Sequence, residues 1–241
     1  MFAQVFNKDC SKYNIVILAG GAGSRMGIAS DFIPKALTKI NEKRAIDFIM
    51  HRYINIAHKF VIGIGNHADL LKNYVCGVYK GENIVFSYED PSKMKNDGIS
   101  LAYCLDNVDS RYGTIITYCD MLLIGNCMVS GDMLFIANKN TTGILGTFRN
   151  SFLHDKIFEN DPPVFLNESN NGIIGVFAIK NTTELKSITY SKFSYINDLT
   201  RDIIAPYFSI HKPNIEEVDI LLDFGTENEL LKSREYWEKC K

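Results

Sequence analysis

The chain has 241 residues, of which 46% are hydrophobic and 22% are charged, a composition typical of globular proteins and too apolar for a disordered chain. Its 26 basic and 28 acidic residues give a formal net charge of -2, which argues against a nucleic-acid-binding protein that depends on a global positive field, although not against a small basic phosphate pocket. No segment approaches the roughly 18 uninterrupted apolar residues of a transmembrane helix, and residues 1–14 lack the apolar core of a signal peptide, so we expect a cytoplasmic protein without membrane insertion.

Short apolar runs alternate with segments of helical spacing in the first half of the chain. Short, mostly apolar runs predict strands over residues 15–18, 60–64, 84–88 and 114–118. Apolar residues at helical spacing predict helices over residues 45–57, 67–75, 99–105 and 128–138. Strands that alternate with helices favour an α/β fold, in which a mostly parallel sheet is covered by helices on both faces.

The second half of the chain is less regular. Its apolar runs predict strands over residues 142–148, 172–179 and 218–222. Its helical spacing predicts helices over residues 197–206 and 227–239. The sequence contains no Gly/Ser linker, low-complexity tract or convincing internal repeat. We therefore expect a single domain over residues 1–241.

The cysteines and histidines of the sequence form no metal-binding pattern. The six cysteines are scattered without a CxxC pair, so we expect free thiols, as is usual in a reducing compartment. Cys119 stands beside Asp120, but its sequence neighbours include no histidine or basic partner. We therefore expect Cys119 to be a packing residue and not a catalytic thiol.

The most informative segment follows the first predicted strand. Residues 15–27 read IVILAGGAGSRMG, and PKAL follows at 34–37. In an open α/β sheet, ligands bind in loops at the carboxyl ends of the strands, and glycines let backbone N–H groups approach phosphate oxygens. Arg25 adds a planar cationic fork suited to phosphate, and Lys35 adds a compact mobile charge. The segment predicts a phosphate-binding loop.

Two common glycine-rich motifs do not fit this loop. Gly21, Gly23 and Gly27 are spaced as GxGxxxG, whereas a dinucleotide-binding loop needs GxGxxG and an acidic residue after the next strand. A P-loop needs Gly-Lys followed by Ser or Thr, and that triplet is absent from the sequence. A tight strand-to-helix turn with surface charges is the alternative that remains open.

The combination of LAGGAGSRMG with PKAL resembles the signature of the nucleotidyltransferases that join a nucleoside monophosphate to a sugar phosphate, or to phosphocholine and similar small phosphates. The resemblance implies a three-layer αβα sandwich around a mixed, mostly parallel sheet, a Rossmann-like fold. It also implies a nucleotide-binding half at about 12–140 and an acceptor-binding half at about 141–241. In the family's reaction, a phosphate oxygen of the acceptor attacks the α-phosphorus of a nucleoside triphosphate and releases pyrophosphate.

The same resemblance assigns roles to the residues of the loop. It implies that Gly20 and Gly21 flank the base or ribose. It also implies that Arg25 holds the leaving phosphates and that Lys35 holds the reacting phosphates, so Arg25 and Lys35 are the implied catalytic residues. Residues 96–102 stand where the family has a segment near the nucleobase. The implied nucleotide-binding residues are Leu18, Ala19, Gly20, Gly21, Gly23, Ser24, Gly98 and Ser100.

Two aspartates match the family's magnesium ligands in position. Asp120 follows the predicted strand TIITY, and its local sequence is YCDMLL where the family more commonly has Gly-Asp. Asp223 is the first residue of DFGTENEL, in which Glu227 replaces the family's proline. Carboxylate oxygens suit Mg²⁺, so the resemblance implies Mg²⁺, with Mn²⁺ as an alternative. Each aspartate could instead be a cap or turn residue, and Thr226 suits helix N-capping.

Several functions remain open at this point. The resemblance favours a Mg²⁺-dependent enzyme that forms a nucleoside-diphosphate sugar from a nucleoside triphosphate and a sugar 1-phosphate, as in polysaccharide biosynthesis. The alternatives are a cytidylyltransferase for a small acceptor such as phosphocholine, and a catalytically silent nucleotide-binding regulator. Residues 223–226 and the helix at 197–206 favour the sugar 1-phosphate enzyme, whereas residues 96–101 favour the cytidylyltransferase. Asn170 and Gly172, in a segment similar to the family's Asn-Ala-Gly-Ile, are the implied acceptor-binding residues. The sequence leaves the base, the acceptor, the pathway and a homo-oligomeric state undecided.

Overall fold

The structure, a computed structural model, describes residues 5–7, 12–21, 32–88, 96–124, 127–138, 171–218 and 220–239. Its strands are β1 (Val5–Asn7), β2 (Tyr13–Leu18), β3 (Lys39–Ile40), β4 (Lys43–Arg44), β5 (Ala57–Ile64), β6 (Ile84–Tyr88), β7 (Gly113–Tyr118), β8 (Met121–Ile124), β9 (Cys127–Val129), β10 (Met133–Asn138), β11 (Asn171–Ile179), β12 (Asn214–Glu217) and β13 (Ile220–Asp223). Its α-helices are α1 (Ala45–Tyr53), α2 (Ala68–Val78), α3 (Asp97–Leu105), α4 (Thr182–Ser191), α5 (Ala205–Ile210) and α6 (Glu227–Lys239). The predicted strand over residues 142–148 lies outside the described residues.

A seven-stranded sheet, in the order β12-β10-β11-β7-β2-β5-β6, forms the centre of the molecule. Strand β2 runs parallel to both of its neighbours, β5 and β7, and β6 runs parallel to β5. At the other end β12 runs parallel to β10, whereas β11 is antiparallel to both β10 and β7. The prediction of a mixed, mostly parallel sheet is confirmed.

Helices cover both faces of this sheet, as predicted. Along β2, Ile15 and Ile17 face a core shared with α1, α2 and α6, and Val16 and Leu18 face a second core shared with α3, α4 and α5. All four side chains are buried, because a central strand covered on both faces has no solvent side. The described residues therefore form the three-layer αβα sandwich that the resemblance implies.

The helix predicted over residues 128–138 is wrong. This segment forms β9 and β10, and Gly131 separates them with a φ of 72°, a left-handed conformation that interrupts a helix. Met133–Asn138 pairs with strands on both sides, and its residues 133–136 are buried. A short run of buried apolar residues has the same pattern in a core helix and in a central strand.

Most other predicted elements are confirmed with small changes in their ends. The helix predicted over 45–57 ends at Tyr53, because Ala57 already belongs to β5. The helix predicted over 197–206 starts later, with a π-helical turn at Thr200–Ile204, and continues through α5 beyond Pro206. Proline is tolerated there because it lies in the first turn of α5. None of the helices in the described part of the chain combines the length and apolarity needed to cross a membrane.

The turn between β13 and α6 is closed by reciprocal hydrogen bonds. The amide of Glu229 donates to Thr226 Oγ1 at 3.3 Å, and the amide of Thr226 donates to Glu229 Oε2 at 2.9 Å. This is a capping box, which satisfies two of the amides left unpaired at a helix start. The alternative that Thr226 caps a helix is confirmed, and the cap holds α6 directly after Asp223.

Replacing Thr226 with alanine should lower the free energy of unfolding by about 0.5–2 kcal/mol, the usual cost of losing an N-cap side chain. Urea denaturation monitored by circular dichroism measures this change. Thr226→Ser is the matched control, because serine retains the capping hydroxyl. Equal denaturation midpoints for Thr226→Ala and the wild type would contradict the capping role.

Candidate active site

The segment after β2 is held between β5 and β7. The carbonyl oxygen of Leu18 accepts a hydrogen bond from the amide of Cys119 at 3.3 Å, and the amide of Ala19 donates to the carbonyl oxygen of Gly63 at 3.1 Å. The sheet ladder therefore extends just beyond the last residue of β2 on both sides. Leu18 and Ala19, two predicted nucleotide-binding residues, have a backbone position that the sheet determines.

The predicted loop leaves the sheet at Gly20 and Gly21. Gly20 packs so closely on Gly65 that a Cβ atom at position 65 would come within 2.5 Å of the Gly20 carbonyl oxygen. Gly21 has open space where a Cβ atom would be and is exposed. An open glycine backbone at the carboxyl end of a central strand fits a site for an approaching ligand. Gly23, Ser24 and Arg25 lie outside the described residues.

Lys35 reaches the same end of the sheet from a short 3-10 turn, Lys35–Leu37, whose residues Ala36 and Leu37 are buried. Its ammonium donates to Asp120 Oδ2 at 3.0 Å and lies 3.4 Å from the carbonyl oxygen of Gly225, to which it also donates. The side chains of Lys35 and Asp120 are only 10% and 16% exposed. The structure thus joins two residues that the sequence separates by 85 positions.

Asp120 and Asp223 are brought together by their backbones. Asp223, the last residue of β13, pairs with Met121 of β8, and the amide of Phe224 donates to the carbonyl oxygen of Asp120 at 3.1 Å. The two aspartates do not meet through strands that end at one edge of the central sheet, since β8 and β13 form a separate antiparallel pair. The two predicted metal ligands occupy neighbouring backbone positions beside Lys35.

Cys119, between Tyr118 and Asp120, is buried. Burial, and after it the charge of Asp120, raises the pKa of the Cys119 thiol well above its usual range. A thiol in this environment stays protonated at neutral pH and is a poor nucleophile. The prediction that Cys119 packs and does not act in thiol catalysis is supported, and Cys76, Cys104 and Cys119 of the described residues form no disulfide, as expected.

The predicted base segment forms the start of α3. The side chain of Asn96 accepts a hydrogen bond from the amide of Ile99 at 3.0 Å and donates to the carbonyl oxygen of Ile196 at 2.8 Å. Gly98 packs against the Ile196 side chain, which leaves no room for a Cβ atom. Ser100 is buried, and its hydroxyl donates to the carbonyl oxygen of Asn96 at 3.4 Å. Nucleotide binding by Gly98 and Ser100 stays a prediction.

A tyrosine–aspartate pair that the sequence reasoning missed joins this segment to the end of β7, two residues before Asp120. The Tyr118 hydroxyl donates to Asp97 Oδ2, and the amide of Leu199 donates to Asp97 Oδ1 at 3.1 Å. Burial, and after it the charge of Asp97, raises the pKa of the Tyr118 phenol well above its ordinary value, so the hydroxyl remains a donor. Gly175 leaves the space that the Tyr118 ring occupies. No sequence spacing connects Asp97 with Tyr118, so only the fold reveals the pair.

Replacing Tyr118 with phenylalanine should lower the free energy of unfolding by about 1–3 kcal/mol, because the half-buried Asp97 carboxylate would lose a hydrogen-bond donor. Urea denaturation of the two proteins measures the difference. Tyr103→Phe, on α3, is the matched control, since no hydrogen bond of the Tyr103 hydroxyl is present among the described residues. Equal decreases in the free energy of unfolding of Tyr118→Phe and Tyr103→Phe would contradict the bridging role of Tyr118.

The acceptor-binding residues are less well defined. Gly172 lies in β11, where its backbone pairs with Ala137 of β10, and Asn170 lies outside the described residues. Their contact with an acceptor stays a prediction. Among the residues that the structure describes, no group of three or more His, Cys, Asp or Glu side chains converges to hold a metal ion.

Comparison with known proteins extends this picture. Residues 15–136 match the family model of the MobA-like NTP transferase domain, and no curated protein sequence matches the chain. The chain is structurally similar to the CTP:phosphocholine cytidylyltransferase from Streptococcus pneumoniae, with a TM-score of 0.74, 18% identity, and coverage of 94% of this chain and 99% of that one. It is also similar to an apo UDP-glucose pyrophosphorylase, with a TM-score of 0.70, 16% identity, and coverage of 95% and 100%.

A third similar structure is a Bacillus anthracis protein described as a glucose-1-phosphate thymidylyltransferase, with a TM-score of 0.68, 14% identity, and coverage of 93% of this chain and 94% of that one. At these identities the structural likeness establishes the fold. The family model covers the segment that carries the glycine loop, Lys35 and Asp120.

Proposed function

Because the chain belongs to the MobA-like NTP transferase domain family, we propose that it transfers a nucleoside monophosphate from a nucleoside triphosphate to a sugar 1-phosphate, with release of pyrophosphate. The observation that carries the proposal is the 3.0 Å contact between Lys35 Nζ and Asp120 Oδ2. This contact lies at the carboxyl end of β7, where the backbone of Asp223 also meets the site. The sequence-based resemblance to nucleotidyltransferases and the family membership agree.

Lys35 is suited to neutralise the reacting phosphates. An ammonium group has three N–H donors, and two of them are directed at Asp120 and the carbonyl oxygen of Gly225. These two contacts orient the charge before substrate arrives and leave a third donor for a phosphate oxygen. Phosphoryl-type transfer depends on such positioning and charge stabilisation more than on covalent chemistry.

In the proposed reaction, a phosphate oxygen of the acceptor forms a bond to the α-phosphorus, and the bond from that phosphorus to the bridging oxygen of pyrophosphate breaks. Arg25, which follows the glycines of the loop, would hold the leaving pyrophosphate through its guanidinium fork. Gly21, which is exposed and has open space where a Cβ atom would be, would present its backbone to the nucleotide next to the buried Gly20. The sheet determines the position of the loop's first residues through Leu18 and Ala19.

The donor set also fits Mg²⁺, or Mn²⁺ in its place. Asp120 Oδ2 accepts from Lys35, while Asp120 Oδ1 has no hydrogen-bond partner among the described residues. A carboxylate oxygen of this kind is a suitable ligand for a hard cation. We propose that Asp120 and Asp223 hold the ion, which would supply charge neutralisation at the phosphates when bound.

A small phosphorylated acceptor such as phosphocholine is the second candidate. The similarity to a CTP:phosphocholine cytidylyltransferase, with a TM-score of 0.74 over 94% of this chain, favours it. The sequence DFGT at residues 223–226 favours a sugar 1-phosphate acceptor. A catalytically silent nucleotide-binding protein is disfavoured, since it would have no need for a lysine held against an acidic ligand at the phosphate site.

A matrix of substrates tests the proposal. The four nucleoside triphosphates are each combined with a panel of sugar 1-phosphates and with phosphocholine, and pyrophosphate release is measured in the presence of Mg²⁺. We expect release with a sugar 1-phosphate and one preferred triphosphate. Turnover with phosphocholine alone would favour the second candidate, and nucleotide binding without turnover on any pair would favour the silent regulator.

A further inference from the structure

A cavity of about 420 Å³ lies between the β3–β4 hairpin and α6. Its basic lining residues are Lys35, Lys39, Arg44 and Arg234. Its apolar lining residues are Ile33, Leu37, Leu230 and Leu231. Among the described residues that line it, Glu227 is the acidic one. The volume is within the range of pockets that bind small organic molecules, about 300–1,000 Å³.

The charge of this cavity differs from that of the whole chain. Four cationic side chains and one carboxylate give its described lining a formal charge of +3, whereas the chain as a whole carries -2. Low-dielectric walls concentrate the field of charges that line a cleft. The cavity therefore attracts anions on a protein that does not attract them overall.

Two guanidinium groups are held in position at the cavity. Arg44 Nη1 donates to the carbonyl oxygen of Leu37 at 2.9 Å, and its guanidinium carbon lies 4.6 Å from the centre of the Tyr74 ring. Arg234 donates to the carbonyl oxygen of Lys39 from Nε at 3.1 Å and from Nη2 at 2.9 Å. An arginine has five N–H donors, so each group retains donors beyond these contacts.

Lys39 adds a mobile charge beside these two groups. Lys39 is exposed, and its ammonium has no side-chain partner among the described residues. Its backbone carbonyl oxygen accepts a hydrogen bond from Arg234. Together the three cations match a group with several negatively charged oxygens. The leucine and isoleucine side chains favour an apolar body attached to that group.

We propose that this cavity is a second binding site, for a small organic phosphate monoester with an apolar body. The phosphate contacts Lys39, Arg44 and Arg234, and the body packs on the apolar wall formed with α6. Inorganic phosphate leaves that wall unfilled and binds more weakly than the ester.

Lys35 connects this cavity with the active site. It lines the cavity and also donates to Asp120, so an anion in the cavity lies near the ammonium that would neutralise the reacting phosphates. Binding at the two sites is therefore coupled, and by linkage each ligand changes the affinity for the other. This coupling rests on the proposed function, whereas the binding itself does not.

Isothermal titration calorimetry of the full chain with 1-naphthyl phosphate, without nucleotide or acceptor, tests the binding. Lys39→Ala is the main variant, because its exposed side chain makes no hydrogen bond or ion pair in the described part of the chain. Losing one charge-assisted contact should weaken binding roughly tenfold. Lys232→Ala, an exposed position on α6 that does not line the cavity, is the matched control and should bind like the wild type.

A further variant and two further ligands test where the ester binds and which of its groups the cavity recognises. Arg234→Gln should also weaken binding, and thermal denaturation shows whether that variant remains folded. 1-Naphthol, which lacks the phosphate, should give no binding, and inorganic phosphate should bind more weakly than the ester. Equal affinities of wild type, Lys39→Ala and Lys232→Ala, or equal binding of naphthol and its phosphate, would overturn the proposal. Because no turnover is measured, this result is independent of the transferase assay.

Discussion

Replacing Lys35 with alanine should lower kcat/KM by about 100-fold or more, which corresponds to about 2.7–4 kcal/mol for the loss of one preorganised donor in an active site. The reason is that Lys35 would supply the charge for the reacting phosphates, already oriented by its contacts with Asp120 and the carbonyl oxygen of Gly225. Pyrophosphate release under substrate-limited conditions measures the effect. Lys72→Ala, an exposed position on α2, is the matched control and should retain wild-type turnover.

The structure changes the stability expected of this variant. From the sequence alone, Lys35 is a loop residue whose loss should leave folding largely unaffected. In the structure it is 10% exposed and paired with Asp120, so its removal leaves a partly buried carboxylate without its cation. We expect a lower thermal midpoint, and activity must be measured well below it. Near-wild-type turnover of folded Lys35→Ala would contradict the catalytic role.

Replacing Asp120 with asparagine should lower turnover by about 100- to 1,000-fold, the range found when a preorganised electrostatic group is removed from an active site. The substitution preserves shape but removes the charge that orients Lys35 and that would hold a cation. Steady-state kinetics at saturating substrate measures the change. Asp223→Asn should act in the same direction, with a smaller effect if Asp223 binds the ion through water. Unchanged turnover in folded Asp120→Asn would make Asp120 a structural residue.

The stability of Asp120→Asn distinguishes two descriptions of the site. The sequence suggests two mutually repelling carboxylates, for which the loss of one charge leaves stability equal or slightly higher. The structure pairs Asp120 with Lys35 at 3.0 Å, so the same change removes an attractive contact. We therefore expect a lower free energy of unfolding at low divalent-cation concentration. A higher one would support the repulsive description.

The requirement for a divalent cation has its own test. A chelator should abolish turnover of the wild type, and added Mg²⁺ or Mn²⁺ should restore it, because in the proposed function an ion held by Asp120 would neutralise phosphate charge. Activity that persists in chelator would mean that Asp120 acts through Lys35 alone.

The strands β2, β5 and β7 and the mostly parallel sheet could be predicted from the sequence, because their apolar runs are short and alternate with helical segments. Residues 128–138 could not, since a buried central strand and a core helix share a continuous apolar pattern. The edge strand β12 is polar and partly exposed, with the sequence NIEE, and has no apolar signal of its own.

The candidate site also has residues that the sequence identifies and residues that only the fold reveals. Lys35 and Asp120 could be identified because each stands in a motif or directly after a strand, and the structure joins them. The contact of Asp97 with Tyr118 could not, because it depends on how the fold places the first residue of α3 beside the last residue of β7. The basic cavity likewise combines residues of the β3–β4 hairpin with α6, which are far apart in the sequence.

The most direct test of nucleotidyl transfer follows two labels in parallel reactions with the best substrate pair. One reaction contains triphosphate labelled at the α-phosphate, and the other contains triphosphate labelled at the γ-phosphate. Attack at the α-phosphorus predicts that the α-label appears in the product with the acceptor and the γ-label appears in pyrophosphate, both strongly reduced in Lys35→Ala. Appearance of the γ-label on the acceptor or in inorganic phosphate, in the absence of pyrophosphatase, would contradict a nucleotidyltransferase.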